Sequence, residues 1–341
     1  MDNNKIRYGL IGLGEVSIPH ENGYRESMDK VEITAVCDVN RQVAEARAEP
    51  YNATAYTDYR VLLNDPRIEA VDIMVPHYLH YPIAKEALIK KKHVIIEKPL
   101  AVTPNQALDL CNLAKQQGVK FTVAENTRFV TAYQEAEKLI CNNAIGTPRL
   151  IRTLIYGTEM IRIQDRENWI HRKEESGGGA LIDMAAHTIY LIKWLFGDIE
   201  ELQAFQWNYV PNIETADNAV INGLLSSGAI FTTQYTETVE VPWGERLEVY
   251  GDLGSIIIDQ LNNPPAKFYE NAFDFYGRPI EAVPYNPAEW KYDSIKAEVI
   301  DFIQAIWYDR PPAIDPMEGY YVINAIDKAY ESINSGKPIR I

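Results

Sequence analysis

Asp183 and His187 stand four residues apart in "GGGALIDMAAHTIYLIKWLFG", so a helix there would carry a carboxylate and an imidazole on one face. An imidazole titrates near neutrality and can take the proton of an alcohol, while a carboxylate beside it orients the ring or the reacting hydroxyl. Lys98 offers complementary chemistry. It ends the apolar run "HVIIEKP" beside Glu97 and Pro99, and its ammonium can stabilise an oxygen that gains negative charge. Near the start, Gly12-Leu13-Gly14-Glu15-Val16-Ser17 reads GxGxxS between an apolar run and a helical segment. In a dinucleotide-binding turn the first glycine makes the bend and the second lets backbone approach a pyrophosphate. The third position, here Ser17 in place of Gly or Ala, packs helix on strand. The pyrophosphate rests on unpaired N–H groups at the helix start. Asp38 closes the next apolar run, "TAVCD", roughly twenty residues on, where an acid bonds ribose hydroxyls. It also repels a 2′-phosphate, which favours NAD over NADP, with Arg41 pulling the other way.

Each residue taken singly has a plainer reading. A strand-terminal lysine is a solvated charge, Pro99 shapes a turn, Asp183 complements a helix dipole, and His187 is a hydrogen-bonded half-buried ring. The combination with the glycine turn points to chemistry.

Such groups need a scaffold. Over the first 125 residues, apolar runs ("IRYGLIGLG", "VEITAVCDV", "AVDIMVP", "HVIIEKP", "VKFTVAE") alternate with helical segments such as "YPIAKEALIKKK" and "TPNQALDLCNLAKQQG". In the latter, Thr103 is an N-cap, Pro104 the first helical residue and Gly118 the stop. This pattern predicts a doubly wound α/β domain, a Rossmann-type parallel sheet, over 1–125. From 126 to 341 the style changes. A helix "AYQEAEKLICNNAIG" and a strand "PRLIRTLIYGT" come first. The Asp183–His187 helix follows, with Leu181, Met184, Thr188, Leu191 and Leu195 as its buried stripe. Short alternating runs then predict a large, mainly antiparallel open sheet in an α+β domain. Helices near 293–309 and 316–335 close the chain, and these terminal helices are free to pack back on the first domain.

Composition narrows the function. A chain of 341 residues suits two domains. The 33 basic against 48 acidic residues leave a charge of -15, which disfavours nucleic-acid and anionic-membrane partners. Cys37, Cys111 and Cys141 form no CxxC pair and suggest neither disulfides nor a zinc site; no metal is expected. The opening residues lack a basic segment before a long apolar core, and no run is long enough to span a bilayer. A cytoplasmic location is expected.

These pieces together carry a resemblance. "GLIGLGEV", "AVCDVN", "VPHYLHYPIAKEAL", "KHVIIEKPLAVT", "NTRF", the "GGGAL" helix and the closing "AIDKAYESINSGKPIRI" resemble, in order and over nearly the whole length, the Gfo/Idh/MocA (glucose-fructose oxidoreductase, inositol dehydrogenase) family of nicotinamide-dependent oxidoreductases. The resemblance implies that Lys98 stabilises the developing oxyanion, that His187 takes the hydroxyl proton, and that Asp183 orients the hydroxyl and tunes the histidine. It implies NAD contacts from Gly12, Leu13, Gly14, Glu15, Val16, Asp38, Pro76, His77, His80, Glu97 and Lys98. Where the family commonly has Pro-Asn this chain has Pro76-His77, which puts the contact of His77 in question.

The polar segment 156–179 is the expected substrate wall, with Tyr156, Arg162, Trp169 and His171 available to stack on a sugar ring or bond its hydroxyls, and Arg128 of "NTRF" to assist. The implied substrate is a neutral sugar, cyclitol or glycoside oxidised at a ring secondary alcohol. Arg162, Arg166, Arg172 and Lys173 keep nucleotide-sugars open. One rival is an NAD-recycling glycosidase that oxidises transiently and eliminates, with Tyr156 or His171 as the extra base. Another is a non-catalytic dinucleotide-sensing regulator, for which loss of Lys98 or of the Asp183–His187 pair would be expected. Finally, Ile230, Phe231, Leu247, Val249, Ile256 and Ile258 are expected on an uncovered apolar sheet face, which predicts a homodimer or homotetramer.

Overall fold

The alternating runs of the N-terminal third fold as six strands: β1 (Ile6–Ile11), β2 (Val31–Cys37), β3 (Thr54–Tyr56), β4 (Ala70–Ile73), β5 (His93–Glu97) and β6 (Phe121–Ala124). In the computed structural model, which describes residues 5–158, 165, 168–211, 213–283, 285–286 and 289–341, these strands pair in the order β3-β2-β1-β4-β5-β6, all parallel. β4 and β6 are buried at every position, which is why they read as unbroken apolar runs instead of alternating ones. The strand order reverses direction between β1 and β4, the crevice where open α/β sheets take ligands.

Between the strands lie α1 (Ser17–Glu26), α2 (Arg41–Ala48), α3 (Tyr59–Asn64), α4 (His80–Ile89) and α5 (Pro104–Gln117). α5 starts and stops as its sequence dictates: Thr103 accepts from the Gln106 N–H, Pro104 follows, and Gly118 turns left-handed at φ 67°. The helix expected near 293–309 forms as α8 (Ser294–Trp307), and the last as α9 (Pro316–Ser335). The chain divides into two compact units, 1–126 with 291–321, and 127–290 with 322–341. α8 thus belongs to the Rossmann unit, where it packs on α1. A Cβ on Gly23 of α1 would lie 2.8 Å from Val299 of α8, so glycine sets how near these helices come.

The second unit carries α6 (Thr131–Cys141) and α7 (Ala180–Phe196) with nine strands: β7 (Pro148–Tyr156), β8 (Ile199–Trp207), β9 (Asn218–Leu225), β10 (Ile230–Thr236), β11 (Gly244–Gly251), β12 (Ser255–Asp259), β13 (Ala266–Tyr269), β14 (Arg278–Pro279) and β15 (Ile339–Arg340). Their order is β14-β13-β12-β11-β7-β10-β9-β8-β15. Every pair is antiparallel except β7 with β10. α7 lies on β7, β9 and β10. It is pinned there by the Thr188 hydroxyl, which shares hydrogen bonds with the hydroxyls of Tyr235 and Thr233.

One expectation about this sheet is corrected. Phe231, Leu247, Val249, Ile256 and Ile258 are fully buried, and only Ile230 is exposed. The five belong to the covered face; alternation along β10 puts Ile230 on the other side. The exposed apolar residues stand there: Leu150, Ile230 and Leu224 are cross-strand partners in one row, with Phe205 opposite Val220 nearby. Among the described residues no helix is long and apolar enough to cross a membrane.

Gly12 bends the chain out of β1 at φ 87°, and a Cβ there would lie 2.2 Å from the Met74 carbonyl oxygen. Gly12→Ala should therefore lower the unfolding free energy by about 2 kcal/mol or more, read as a shifted urea midpoint. An unshifted midpoint would mean that the β1 and β4 ends separate freely.

Candidate active site

In the Rossmann unit the β1–α1 turn is held from beneath. The Ser17 hydroxyl donates to the Gly14 carbonyl at 2.6 Å and accepts from Arg47 at 2.8 Å, so a small polar residue at the third motif position ties helix start to turn. Val16 caps α1 without any side-chain hydrogen bond, and no acid sits in its first turn. A Cβ on Gly14 would meet nothing within 4 Å. The Ser17 and Ile18 amides already donate to the Gly14 and Glu15 carbonyls and Pro19 has no N–H, so it is the open space over Gly14, at the positive end of α1, that suits an anionic pyrophosphate. Asp38, at the end of β2, accepts the Leu13 N–H at 3.0 Å through one oxygen and the Asn40 N–H at 2.8 Å through the other. It stays partly exposed, so it braces the glycine turn while keeping part of its carboxylate in solvent.

Three residues expected on the cofactor turn inward. His77 is buried, with its ring edge against His80. His80 is fully buried, its nitrogens 2.7 Å from the Pro99 carbonyl and 2.8 Å from the Val75 carbonyl. Burial draws its pKa down against the pull of these two acceptors. Glu97 is buried too: one oxygen lies 3.0 Å from His20 Nε2, and the other accepts the Lys98 N–H at 2.9 Å. Lys98 itself is partly exposed at the carboxyl end of β5. The chain around it is thus held on both sides, by Glu97 at its amide and by His80 at the Pro99 carbonyl.

In the second unit α7 is submerged. Its expected stripe of Leu181, Met184, Thr188, Leu191 and Leu195 is buried. So is every other residue from Leu181 to Ile192 except Asp183 and His187, the two partly exposed positions. An ionisable pair is thereby placed at the openings of the apolar stretch 181–192. The Thr127 hydroxyl lies 3.4 Å from His187 Nδ1. His187, Thr127, Tyr133, Leu191, Glu245 and Arg246 line one small cleft, in which Tyr133 donates to Glu245 at 3.1 Å.

The expected substrate wall divides. Tyr156 ends β7, half-buried, and burial followed by the nearby Asp259 charge pushes its pKa up. Trp169 and His171 share a single helical turn capped by Asn168; Trp169 is partly exposed and His171 is buried. Arg128 stacks 4.2 Å over the Trp194 ring and lies 3.7 Å from Glu137. Arg172 and Lys173 are exposed. Arg162 and Arg166 lie outside the described residues.

Sequence reasoning missed a buried polar cluster. His20 Nδ1 lies 2.8 Å from Asp72 Oδ2, which also accepts from the Tyr24 hydroxyl at 2.9 Å, and Glu298 of α8 comes within 3.8 Å of His20 Nε2. A signal was present. Asp72 interrupts the apolar strand "AVDIM", and Glu298 sits on the buried stripe of Ile295, Val299 and Phe302. A charge at such positions needs a partner.

Residues 6–125 match the family model described as "Oxidoreductase family, NAD-binding Rossmann fold", and residues 133–257 match the "GFO/IDH/MocA C-terminal domain". The chain belongs to the Gfo/Idh/MocA family. Its N-terminal unit is an NAD-binding Rossmann domain, and the protein is an NAD-dependent oxidoreductase. Among relatives, a D-glucoside 3-dehydrogenase of Escherichia coli is 30% identical over 58% of this chain and 56% of its own. An inositol 2-dehydrogenase/D-chiro-inositol 3-dehydrogenase of Lactiplantibacillus plantarum is 25% identical over 73% and 70%. The solved levoglucosan dehydrogenase complex with NADH and levoglucosan shares the fold, with a TM-score of 0.91 at 23% identity over 99% of both chains. In this Gfo/Idh/MocA protein, the open space over Gly14 at the positive end of α1 fits the dinucleotide's phosphates.

Two predictions follow from charge. Asp38→Ala should weaken NADH binding about tenfold and narrow the preference over NADPH, measured by fluorescence titration; unchanged affinities would remove Asp38 from ribose recognition. Burial, with no hydrogen bond to either oxygen, raises the pKa of Glu298; the His20 charge opposes this, and the neighbouring carboxylates add to the rise. Burial alone would lower that of His20, but Asp72 and Glu97 outweigh it and raise it. Both groups hold more protons folded than unfolded. Stability drawn from His20 is therefore complete below its unfolded pKa and lost as pH climbs through the raised value, and Glu298 costs stability above its own unfolded pKa. Urea stability should fall from neutral to alkaline pH, by at most about 1.4 kcal/mol per pH unit for each proton. Glu298→Gln should flatten that fall; a profile rising with pH would refute the assignment.

Proposed function

We propose that the protein is an NAD-dependent dehydrogenase that oxidises a ring secondary alcohol of a neutral sugar, cyclitol or glycoside. The observation that carries this is the burial of every residue from Leu181 to Ile192 except Asp183 and His187, since an apolar helical stretch that opens only at an ionisable pair leaves that pair for use, not for packing. The names of relatives, which act on inositols, a glucoside and levoglucosan, support the substrate class.

Bound NAD supplies the acceptor for the hydride of the carbinol carbon. His187 takes the hydroxyl proton, with Thr127 at Nδ1 orienting the ring. Asp183 accepts a hydrogen bond from the substrate and favours the charged form of the histidine. Lys98 donates to the carbinol oxygen as it gains negative charge. Glycoside elimination would need a further base. His171 is buried and the pKa of Tyr156 is raised, which favours plain oxidation. The exposed row of Leu150, Ile230 and Leu224, with Phe205, fits the contact of a second copy in a homodimer or homotetramer.

A panel of myo-inositol, other cyclitols, levoglucosan and methyl glucosides with NAD should give absorbance at 340 nm for at least one of them. Release of aglycone without net NADH would establish the elimination reading instead. Lys98→Ala and His187→Ala should each lower kcat by about a hundredfold or more while NADH affinity stays within about threefold; a variant that keeps its turnover removes that residue from the reaction. Light scattering that shows only monomer would reject the second-copy contact.

A further inference from the structure

The buried cluster under the Glu97–Lys98 turn has a definite protonation geometry. His20 is fully buried on α1, with Asp72 of β4 on one nitrogen and Glu97 of β5 on the other, at 2.8 and 3.0 Å. Asp72 also accepts from Tyr24, and Glu97 accepts from the Lys98 amide. Each ring nitrogen faces a carboxyl oxygen; with both carboxyls ionised, both nitrogens donate and the ring is an imidazolium. A continuous line of charge-assisted hydrogen bonds runs from Asp72 through His20 and Glu97 to the backbone of Lys98. Tyr8 of β1 approaches the ring of Tyr24. Glu298 of α8, with neither oxygen hydrogen-bonded, and the negative charge of Glu125 complete the surroundings.

We propose that His20 is a positioning residue for Lys98. It locks the Glu97 side chain in one rotamer, and Glu97 holds the amide of Lys98 so that the ammonium is presented in a fixed direction at the carboxyl edge of β5. The proposal rests on Lys98 acting as described above. A buried carboxylate that loses its charged partner does not stay in place. Without His20, Glu97 swings or takes up a proton, and its grip on the Lys98 amide is lost. His20, Glu97 and Glu298 also have the spacing of a metal site. Each ring nitrogen, however, already gives its hydrogen to a carboxylate, which leaves no lone pair for a cation.

His20→Gln keeps the approximate size and removes the charge. With the best alcohol of the panel, kcat should fall about thirtyfold or more while KM and the NADH dissociation constant stay within about threefold. Glu97→Gln should match it, and the double variant should be no worse than either single one. A loss confined to KM, additive losses, or no loss in either variant overturns the proposal. Should His20→Gln fail to fold, Asp72→Asn weakens the same line and should give the same split in smaller measure. Two readouts need no substrate. Long-range proton–nitrogen spectra at pH 8.5 should show both His20 ring nitrogens protonated, and a neutral ring overturns the proposal. Lysines methylated with carbon-13, assigned through Lys98→Arg, should show a Lys98 signal that moves in shift and titration midpoint in His20→Gln; an unmoved signal overturns it. One equivalent of metal in the purified protein would overturn it in favour of a cation site. If the wild type oxidises nothing on the panel, the dehydrogenase reading falls by itself, and the Lys98 signal still decides the role of His20.

Discussion

Parallel pairing of the six Rossmann strands is the constraint on which the cofactor half of the site depends. A parallel strand must return through a crossover, so the turns after β1, β2, β4 and β5 all open at the carboxyl edge. Gly12, Asp38, Pro76 and Lys98 are distant in sequence, yet they sit on those four turns. Gly12 then admits the β4 end so closely that no Cβ fits between them, and Asp38 reaches back to the Leu13 amide. The shape of that edge is a consequence of strand order, sharpened by one glycine and one carboxylate.

Burying polar groups is costly unless they are paired, and the two units differ in how, and how far, they meet this demand. The Rossmann unit puts a carboxylate–imidazole–carboxylate line inside its apolar layers, and α8 adds a further acid with neither oxygen hydrogen-bonded. The second unit uses neutral hydroxyls: Thr153, Thr188, Thr233 and Tyr235 bond one another between helix and sheet. Neutral networks fix register without responding to pH. The ionic one does respond, because its proton count differs between folded and unfolded chains.

Much of the architecture was legible because its signals are local. The apolar runs of β1 to β6, the Thr103–Pro104–Gly118 punctuation of α5 and the four-residue spacing of Asp183 and His187 all depend on neighbours a few positions away. The open face of the second sheet was misread for the opposite reason. Alternation says that two faces differ, but not which one the helices of its unit cover; Phe231 and Ile230 are adjacent in sequence and on opposite sides. Glu97 was legible as part of its motif, but its link to His20 was not. Its partner His20 lies 77 residues away, and no spacing rule links them.

Sequence by itself determined which residues carry charge and nucleotide-binding turns, the class of each unit and the helical face shared by Asp183 and His187, since periodicity and turn chemistry act over a few residues. Tertiary structure alone decided that α7 would be buried around that pair, that α8 would join the first unit, and that His20, Asp72, Glu97 and Glu298 would meet. Those outcomes depend on which surfaces exclude water together, and that is a property of packed elements, not of any segment.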